Sequence, residues 1–215
     1  MTEVAAMTDS PLLKIDSLAP NASAVALACQ ALNDGELVVA PTETQYGILA
    51  RVDNTAALVK LFELKGRDRN KPLSIFVKKI SQLKEYAEMS PMSELIAGKF
   101  LPGPLTIVLR SKKDLGKLIT REGKTGFRLS ANFLIQKIMN KIEVPVTATS
   151  ANFSGSPAKE SALSIKERFG SEIAVYLDGG RLNNPASTVV EIIEDKINFL
   201  REGAISKTDI LAAIR

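Results

Sequence analysis

The residue types that could do chemistry fall in a few polar segments of a 215-residue chain. Lys65, Arg67, Arg69 and Lys71 alternate along KGRDRNK, directly after a helix-like run. In an extended stretch, residues two apart point to one side, so Lys65 and Arg67 would converge on one polyanion. A planar guanidinium fork beside a point-charge ammonium suits a triphosphate. The competing reading is a solvated basic loop. In TSANFSG (149–155), Ser150 and Asn152 are again two apart and offer a hydroxyl and an amide. Ser154 and Gly155 suit a tight turn and close backbone approach, although a plain turn explains the same residues. PTETQYG (41–47) carries Thr42, Glu43, Thr44 and Tyr46. Thr42 or Thr44 could hold a small polar ligand, or their hydroxyls could bond the local backbone of a turn. Glu43 is the nearby acid that could orient a lysine or help hold a metal. Arg128, in TGFRLS, is costly to bury unpaired. It should face a structural partner or a ligand carboxylate.

Other segments say less. PGPLT (102–106) reads as a rigid turn into a strand. Asp178-Gly-Gly-Arg181, Ser187-Thr188 and Arg201 flank predicted strands, and Gly179-Gly180 resembles a phosphate loop only weakly. Neither G-x-x-x-x-G-K-[ST] nor G-x-G-x-x-G occurs.

Composition narrows the chemistry further. The chain has no histidine, which removes Ser-His-Asp and Cys-His nucleophile arrangements and His-ligated metals. One cysteine, Cys29, excludes an internal disulfide and a cysteine-rich zinc site, and its helix-like surroundings read as packing. What remains suits anion binding and positioning better than general-base hydrolysis. A net charge of +4 permits an anionic partner without requiring one. Aromatics make up 5% and there is no tryptophan, so no stacking platform for single-stranded RNA is visible. No apolar run reaches the roughly 18 residues of a membrane span, and the start lacks a signal-peptide pattern. The expectation is a cytoplasmic protein.

Those segments need elements to position them. Helices are predicted over 21–33, 54–64, 81–87, 91–101, 133–139, 162–169 and 207–214, with Asn21 or Ser23, and Ser206 or Thr208, as candidate caps. Strands are predicted over 36–40, from Leu73 after Pro72, and over 106–109, 125–129, 144–150, 173–177, 188–193 and 197–200. Interleaved strands and helices give an α/β class. The irregular alternation favours one mixed, twisted sheet flanked by helices. One domain over 14–215 is expected, preceded by a flexible arm over 1–13.

The order strand-PTETQYG, helix-KGRDRNKPL, PGPLTIVL, strand-TSANFSGSP, YLDGG, STVV and LREG resembles the YrdC-like family, from about Leu37 to Gly203. Its K-x-R…S-x-N signature falls on Lys65, Arg67, Ser150 and Asn152. The resemblance implies a large concave cavity in which these four contact ATP and the threonylcarbamoyl group as catalytic and nucleotide-binding residues. It implies threonine contacts from Thr42, Arg128 (on the carboxylate) and Ser187, and a nucleotide contact from Arg201. The implied enzyme is an L-threonylcarbamoyladenylate synthase, a nucleotidyltransferase joining L-threonine, bicarbonate and ATP, with Mg2+ accompanying ATP. Its product feeds N6-threonylcarbamoylation of adenosine 37 in tRNA. The implied partners are tRNA or double-stranded RNA and the proteins of the transferase complex.

The chain departs from the family pattern at several points. Phe76 lies on the strand where many members have histidine. FRLSANF keeps Arg128 but loses proline and histidine over Ser130 to Phe133. Ala158 to Glu160 replace Ser-Pro-Thr, and Ala186 replaces a glutamate. These changes support an alternative: a family paralogue that binds RNA or nucleotide without synthase activity.

Overall fold

The computed structural model describes residues 9–16 and 18–214. The short apolar run after Glu36 forms β2 (Val38–Ala40), buried at every position. It pairs in parallel with β9 (Val175–Asp178) and antiparallel with β3 (Gly47–Leu49). β9 also pairs in parallel with β1 (Leu12–Lys14), and β3 pairs antiparallel with β8 (Thr149–Ser150), giving the order β1-β9-β2-β3-β8. Leu12 and Leu13 therefore belong to the folded unit, and the expected loose arm is too long at that end. Residues 1–8 of that arm lie outside the described residues.

The remaining strands form a second sheet. Its order is β11 (Lys196–Arg201), β10 (Thr188–Ile193), β5 (Leu105–Arg110), β6 (Lys124–Arg128), β4 (Ile75–Phe76) and β7 (Val146–Thr147). Parallel and antiparallel pairs alternate across it. The α/β class and mixed pairing are as expected, but the strands divide between two sheets. The expected strand over 144–150 accounts for this difference. It breaks at Ala148, with Val146–Thr147 in one sheet and Thr149–Ser150 in the other. A seam joins the sheets there: the Thr147 amide donates to the Ala50 carbonyl (2.9 Å), and the Ala50 amide donates to Thr147 Oγ1 (3.0 Å). Continuous β-propensity gave no sign of this crossing.

Helices cover the sheets. α1 (Ala22–Asn33) is capped by Asn21, whose Oδ1 accepts the Ala24 amide at 2.8 Å. Its buried Ala24, Val25, Ala28, Cys29 and Leu32 pack with Leu134, Ile135, Ile138 and Met139 of α5 (Phe133–Lys141). α2 (Thr55–Lys65) buries Leu58, Leu61 and Phe62 in the larger core, beside Ile48, Ile75, Ile107 and Phe127. Gly66 ends it at φ +55°, a left-handed conformation that favours glycine. α3 (Ile80–Tyr86) and α4 (Pro91–Phe100) follow. α6 (Ala162–Phe169) stops at Gly170, and α7 (Lys207–Ala212) is capped by Ser206.

Candidate active site

Strand geometry builds the floor of the site. Successive side chains on a strand point to opposite faces. Thr106 and Val108 of β5, Val189 and Glu191 of β10, and Lys124, Gly126 and Arg128 of β6 therefore share one face of the second sheet, and all line one cavity. Gly126 lets Ser74 pack against this face: a Cβ would come within 2.5 Å of Ser74 Oγ and 3.1 Å of its Cβ, so the serine would have to shift. The 42–47 turn, the loop from Arg67 to Ser74, and Ala148 to Ser150 complete the walls of a cavity of about 890 Å³. Arg67, Lys71, Arg121, Lys124, Arg128 and Arg201 line it against only Glu122 and Glu191, so its field favours anions. Lys124 is paired with Glu191 at 2.8 Å.

At one wall, Arg67 donates from Nε to the Lys71 carbonyl (2.8 Å) and from Nη2 to the Pro72 carbonyl (3.0 Å). Burial lowers its pKa, and no ion pair involves it among the described residues. Ser150 lines the cavity beside it, and its Oγ donates to Asn152 Oδ1 at 2.5 Å. Asn152 Nδ2 donates to the Phe153 and Ser156 carbonyls (3.0 and 2.5 Å), which fixes the turn.

Lys65 is not where alternating side chains would put it. It is the last residue of α2, Gly66 reverses the chain after it, and its side chain is 2% exposed. Its Nζ donates to the Ser150 and Asn152 carbonyls, the latter at 2.6 Å. Burial, with the charge of Arg67 adding, depresses its pKa to about 7. Of the signature residues, Arg67 and Ser150 line the cavity, and Lys65 joins them through the Ser150 and Asn152 carbonyls.

At the opposite end, Arg128 is buried and pairs with Glu43: Nη2 and Nε donate to Oε1 at 2.7 and 3.2 Å. Nη2 also donates to Thr44 Oγ1 (2.6 Å), and the guanidinium lies 5.3 Å from the Phe76 ring centroid. Ser130 Oγ donates to the other Glu43 oxygen. Glu43 therefore holds an arginine, and neither orients a lysine nor stands free for a metal. Thr42 lines the cavity, but its hydroxyl is engaged in its own turn, donating to the Gln45 carbonyl (2.7 Å) and accepting the Thr44 amide (3.1 Å). Ser187 Oγ lies 3.0 Å from Thr106 Oγ1, and Arg201 donates to the Ser187 carbonyl (2.8 Å) and Oγ (3.0 Å). Burial, then the neighbouring charge of Arg128, lowers the pKa of Arg201.

The Asp178-Gly-Gly segment serves the fold. Tyr46 Oη donates to the Gly180 carbonyl (2.6 Å) and accepts the Gly179 amide (3.0 Å), pinning the 42–47 turn to the end of β9. Burial, with Asp178 adding, raises the Tyr46 pKa well above the usual phenol range. Sequence reasoning missed Ser74, Thr106, Gly126, Lys124, Glu191 and Ser130 as site residues. Strand alternation was the available signal for all but the first and last, but it could not say which face was open. Among the described residues no group of three or more His, Cys, Asp or Glu side chains could hold a metal ion.

The profile of the Sua5/YciO/YrdC family, described as telomere recombination, matches residues 30–203. A putative threonylcarbamoyl-AMP synthase of Methanocaldococcus jannaschii is 34% identical over 173 residues, covering 80% of this chain and 82% of that protein. The threonylcarbamoyl-AMP synthase of Bacillus subtilis is 34% identical over 203 residues, covering 93% of this chain and 59% of that one. The crystal structure of Pyrococcus abyssi Sua5 complexed with L-threonine superposes with a TM-score of 0.89 at 31% identity, covering 95% of this chain and 61% of that one. The chain thus spans about three-fifths of the last two. The cavity, its two polar ends and the signature turn sit within the matched segment, and over it the chain belongs to the Sua5/YciO/YrdC family.

Proposed function

We propose that the chain is an L-threonylcarbamoyladenylate synthase, a nucleotidyltransferase that moves AMP from ATP to the N-carboxylate (carbamate) of threonine and releases pyrophosphate. The observation that carries this reading is the cavity's pattern: half-buried Arg67, in no ion pair among the described residues, with Ser150 at one end, Arg128, Ser187 and Arg201 at the other. Its support outside the geometry is the relatives named as synthases and the threonine complex of Sua5.

In this reading the threonine amine takes up CO2, from bicarbonate, as a carbamate. A carbamate oxygen attacks the α-phosphorus of Mg-ATP, the bond to the bridging oxygen breaks, and pyrophosphate leaves. The carbamate is already a nucleophilic anion, so no histidine base is needed. What the site must supply is relief of repulsion between two anions and alignment for displacement. Arg67 would offset phosphate charge and Ser150 would orient a phosphate oxygen. Arg128, held by Glu43, would hold the threonine carboxylate, with Thr42 and Ser187 shaping that subsite and Arg201 reaching the nucleotide. The product would pass to a transferase complex acting on tRNA in the cytoplasm, with tRNA or double-stranded RNA as an anionic partner of this +4 chain. No described helix is long and apolar enough to cross a membrane.

The test is a synthase assay: purified protein, Mg-ATP, L-threonine and bicarbonate, with pyrophosphate and adenylate followed by mass spectrometry. Threonine-dependent product, lost in Arg67→Ala, is expected. Absence of product beside an active known synthase would overturn the reading in favour of an RNA- or nucleotide-binding paralogue.

A further inference from the structure

The chain's surplus of positive charge is concentrated in one connection. Between Arg110, at the end of β5, and Lys124, opposite it at the start of β6, come Lys112, Lys113, Lys117 and Arg121. Against these six cations the segment holds two acids, Asp114 and Glu122, and the excess of four equals the net charge of the whole chain. Its own hydroxyls fix the backbone that carries them. The Leu115 amide donates to Thr120 Oγ1 (3.1 Å), which lies 2.9 Å from the Oγ1 of buried Thr125. The basic loop after α2 is stitched to the same connection: the Leu73 amide donates to the Leu118 carbonyl (2.8 Å), and Arg121 donates to the Asn70 carbonyl. Exposed Arg69 and Lys71 therefore extend the patch. Arg110, Lys124 and Arg69 have acidic neighbours in Glu194 (3.1 Å), Glu191 (2.8 Å) and Glu63 (3.6 Å). Lys112, Lys113 and Lys117 are exposed, and none of them is in an ion pair among the described residues. Lys113 and Lys117 share a depression of about 330 Å³ with the Ser111 and Thr120 hydroxyls, beside the segment's own two acids.

We propose that the 110–124 connection, with Arg69 and Lys71, is a surface on which the phosphate backbone of a structured RNA docks. Its chemistry separates RNA from an acidic protein. Protein interfaces have an apolar centre and are depleted in lysine. The exposed large apolar side chains of this chain, among them Leu95, Phe133 and Phe153, all lie outside 110–124. Exposed lysines without acidic partners are what phosphate contacts use. Single strands are gripped by stacking on aromatic rings. The segment has no aromatic residue, and the Lys113 ammonium covers the neighbouring Tyr86 ring at 4.2 Å from its centroid. Paired RNA, held by backbone charge alone, fits better. Lys71, Arg121 and Lys124 also line the central cavity, so an RNA on this patch lies at the cavity rim. The inference rests on the synthase reading only for the consequence that the adenylate is released beside the RNA that consumes it.

The experiment measures binding of an unmodified tRNA transcript by fluorescence anisotropy across a salt series. Lys112→Gln/Lys113→Gln/Lys117→Gln removes three charges from the patch, and none of the three lines the central cavity. Lys14→Gln/Lys137→Gln/Lys141→Gln removes the same number from β1 and α5, in the region of the other core. For wild type, the log of the association constant should fall with log salt at a slope of about −3 to −5. The patch variant should bind at least about tenfold more weakly at about 50 mM salt, with a slope shallower by about one per lysine. The control variant should stay within about twofold of wild type, and both variants should keep wild-type Tm and synthase turnover. Equal losses in the two variants would mean that net charge alone attracts RNA, and would overturn the surface. So would unchanged tRNA binding in the patch variant. Tighter binding of polyglutamate than of tRNA at equal charge concentration would point to an acidic protein instead and would also overturn it. If wild type makes no product while the patch variant alone loses tRNA, the synthase reading falls and the surface stands.

Discussion

Replacing Lys65 by methionine should change how stability depends on pH, and the structure fixes the direction. The Lys65 pKa is depressed to about 7 in the fold, against 10.5 for a free lysine, because its head is buried and Arg67 is near. Between these two values the unfolded chain holds a proton that the folded chain has lost. Stability rises with pH wherever the unfolded state binds more protons, so the Lys65 contribution must improve from about pH 7 upward. Integrating from about pH 7 to about pH 9 gives about 2 kcal/mol, with the slope approaching about 1.4 kcal/mol per pH unit. For a chain of this size that is about 4–8 °C in Tm. Other lysines, the tyrosines and Cys29 also titrate at high pH, so the useful quantity is wild type minus Lys65→Met, from urea denaturation at each pH. The variant loses the donors to Ser150 and Asn152 and should be less stable throughout. The deficit should widen by about 2 kcal/mol across the window. A constant deficit would refute the reasoning. Lys65 would then keep its proton, stabilised by its two carbonyls more than burial penalises it.

The Arg128–Glu43 pair yields two further outcomes. Glu43→Ala leaves a buried guanidinium without its counter-charge and should cost about 3–5 kcal/mol in urea denaturation. Ser130→Ala removes the donor to the other carboxylate oxygen and the acceptor of the Asn132 amide (3.1 Å), and should cost about 1–2 kcal/mol, with a raised KM for threonine and little change for ATP in steady-state assays. Gly203→Ala should lower Tm and product formation together, because its Cβ would lie 2.2 Å from the Ala186 carbonyl oxygen and 2.7 Å from the Ser187 carbonyl carbon, which cannot move without moving Ser187. Tyr46→Phe should cost about 1–3 kcal/mol by leaving the Gly180 carbonyl and Gly179 amide unpaired, which thermal denaturation would read.

The contrast between Lys65 and Arg67 shows what the sequence made legible and what it hid. The helix over α2, its stop at Gly66 and the polar segment beyond follow from apolar spacing and glycine. So do the boundaries of α1, α6 and β10, whose caps and alternation are local properties. The convergence of Lys65 and Arg67 on one polyanion was argued from the period of an extended chain, a premise that does not hold because Lys65 is still helical. Where the two side chains go depends on residues 85 positions downstream, whose carbonyls capture the ammonium. The same limit applies to Ala148, where an unbroken β-prone run leaves one sheet for another. Only the hydrogen bonds of Thr147 to a strand a hundred residues earlier say so. Arg128 was legible as a charge needing a partner, but Glu43 as that partner was not, since the pair joins a turn after β2 to the end of β6. The site is therefore a product of long-range pairing. Short segments supply the right functional groups, and the seam between the two sheets decides which of them reach the cavity.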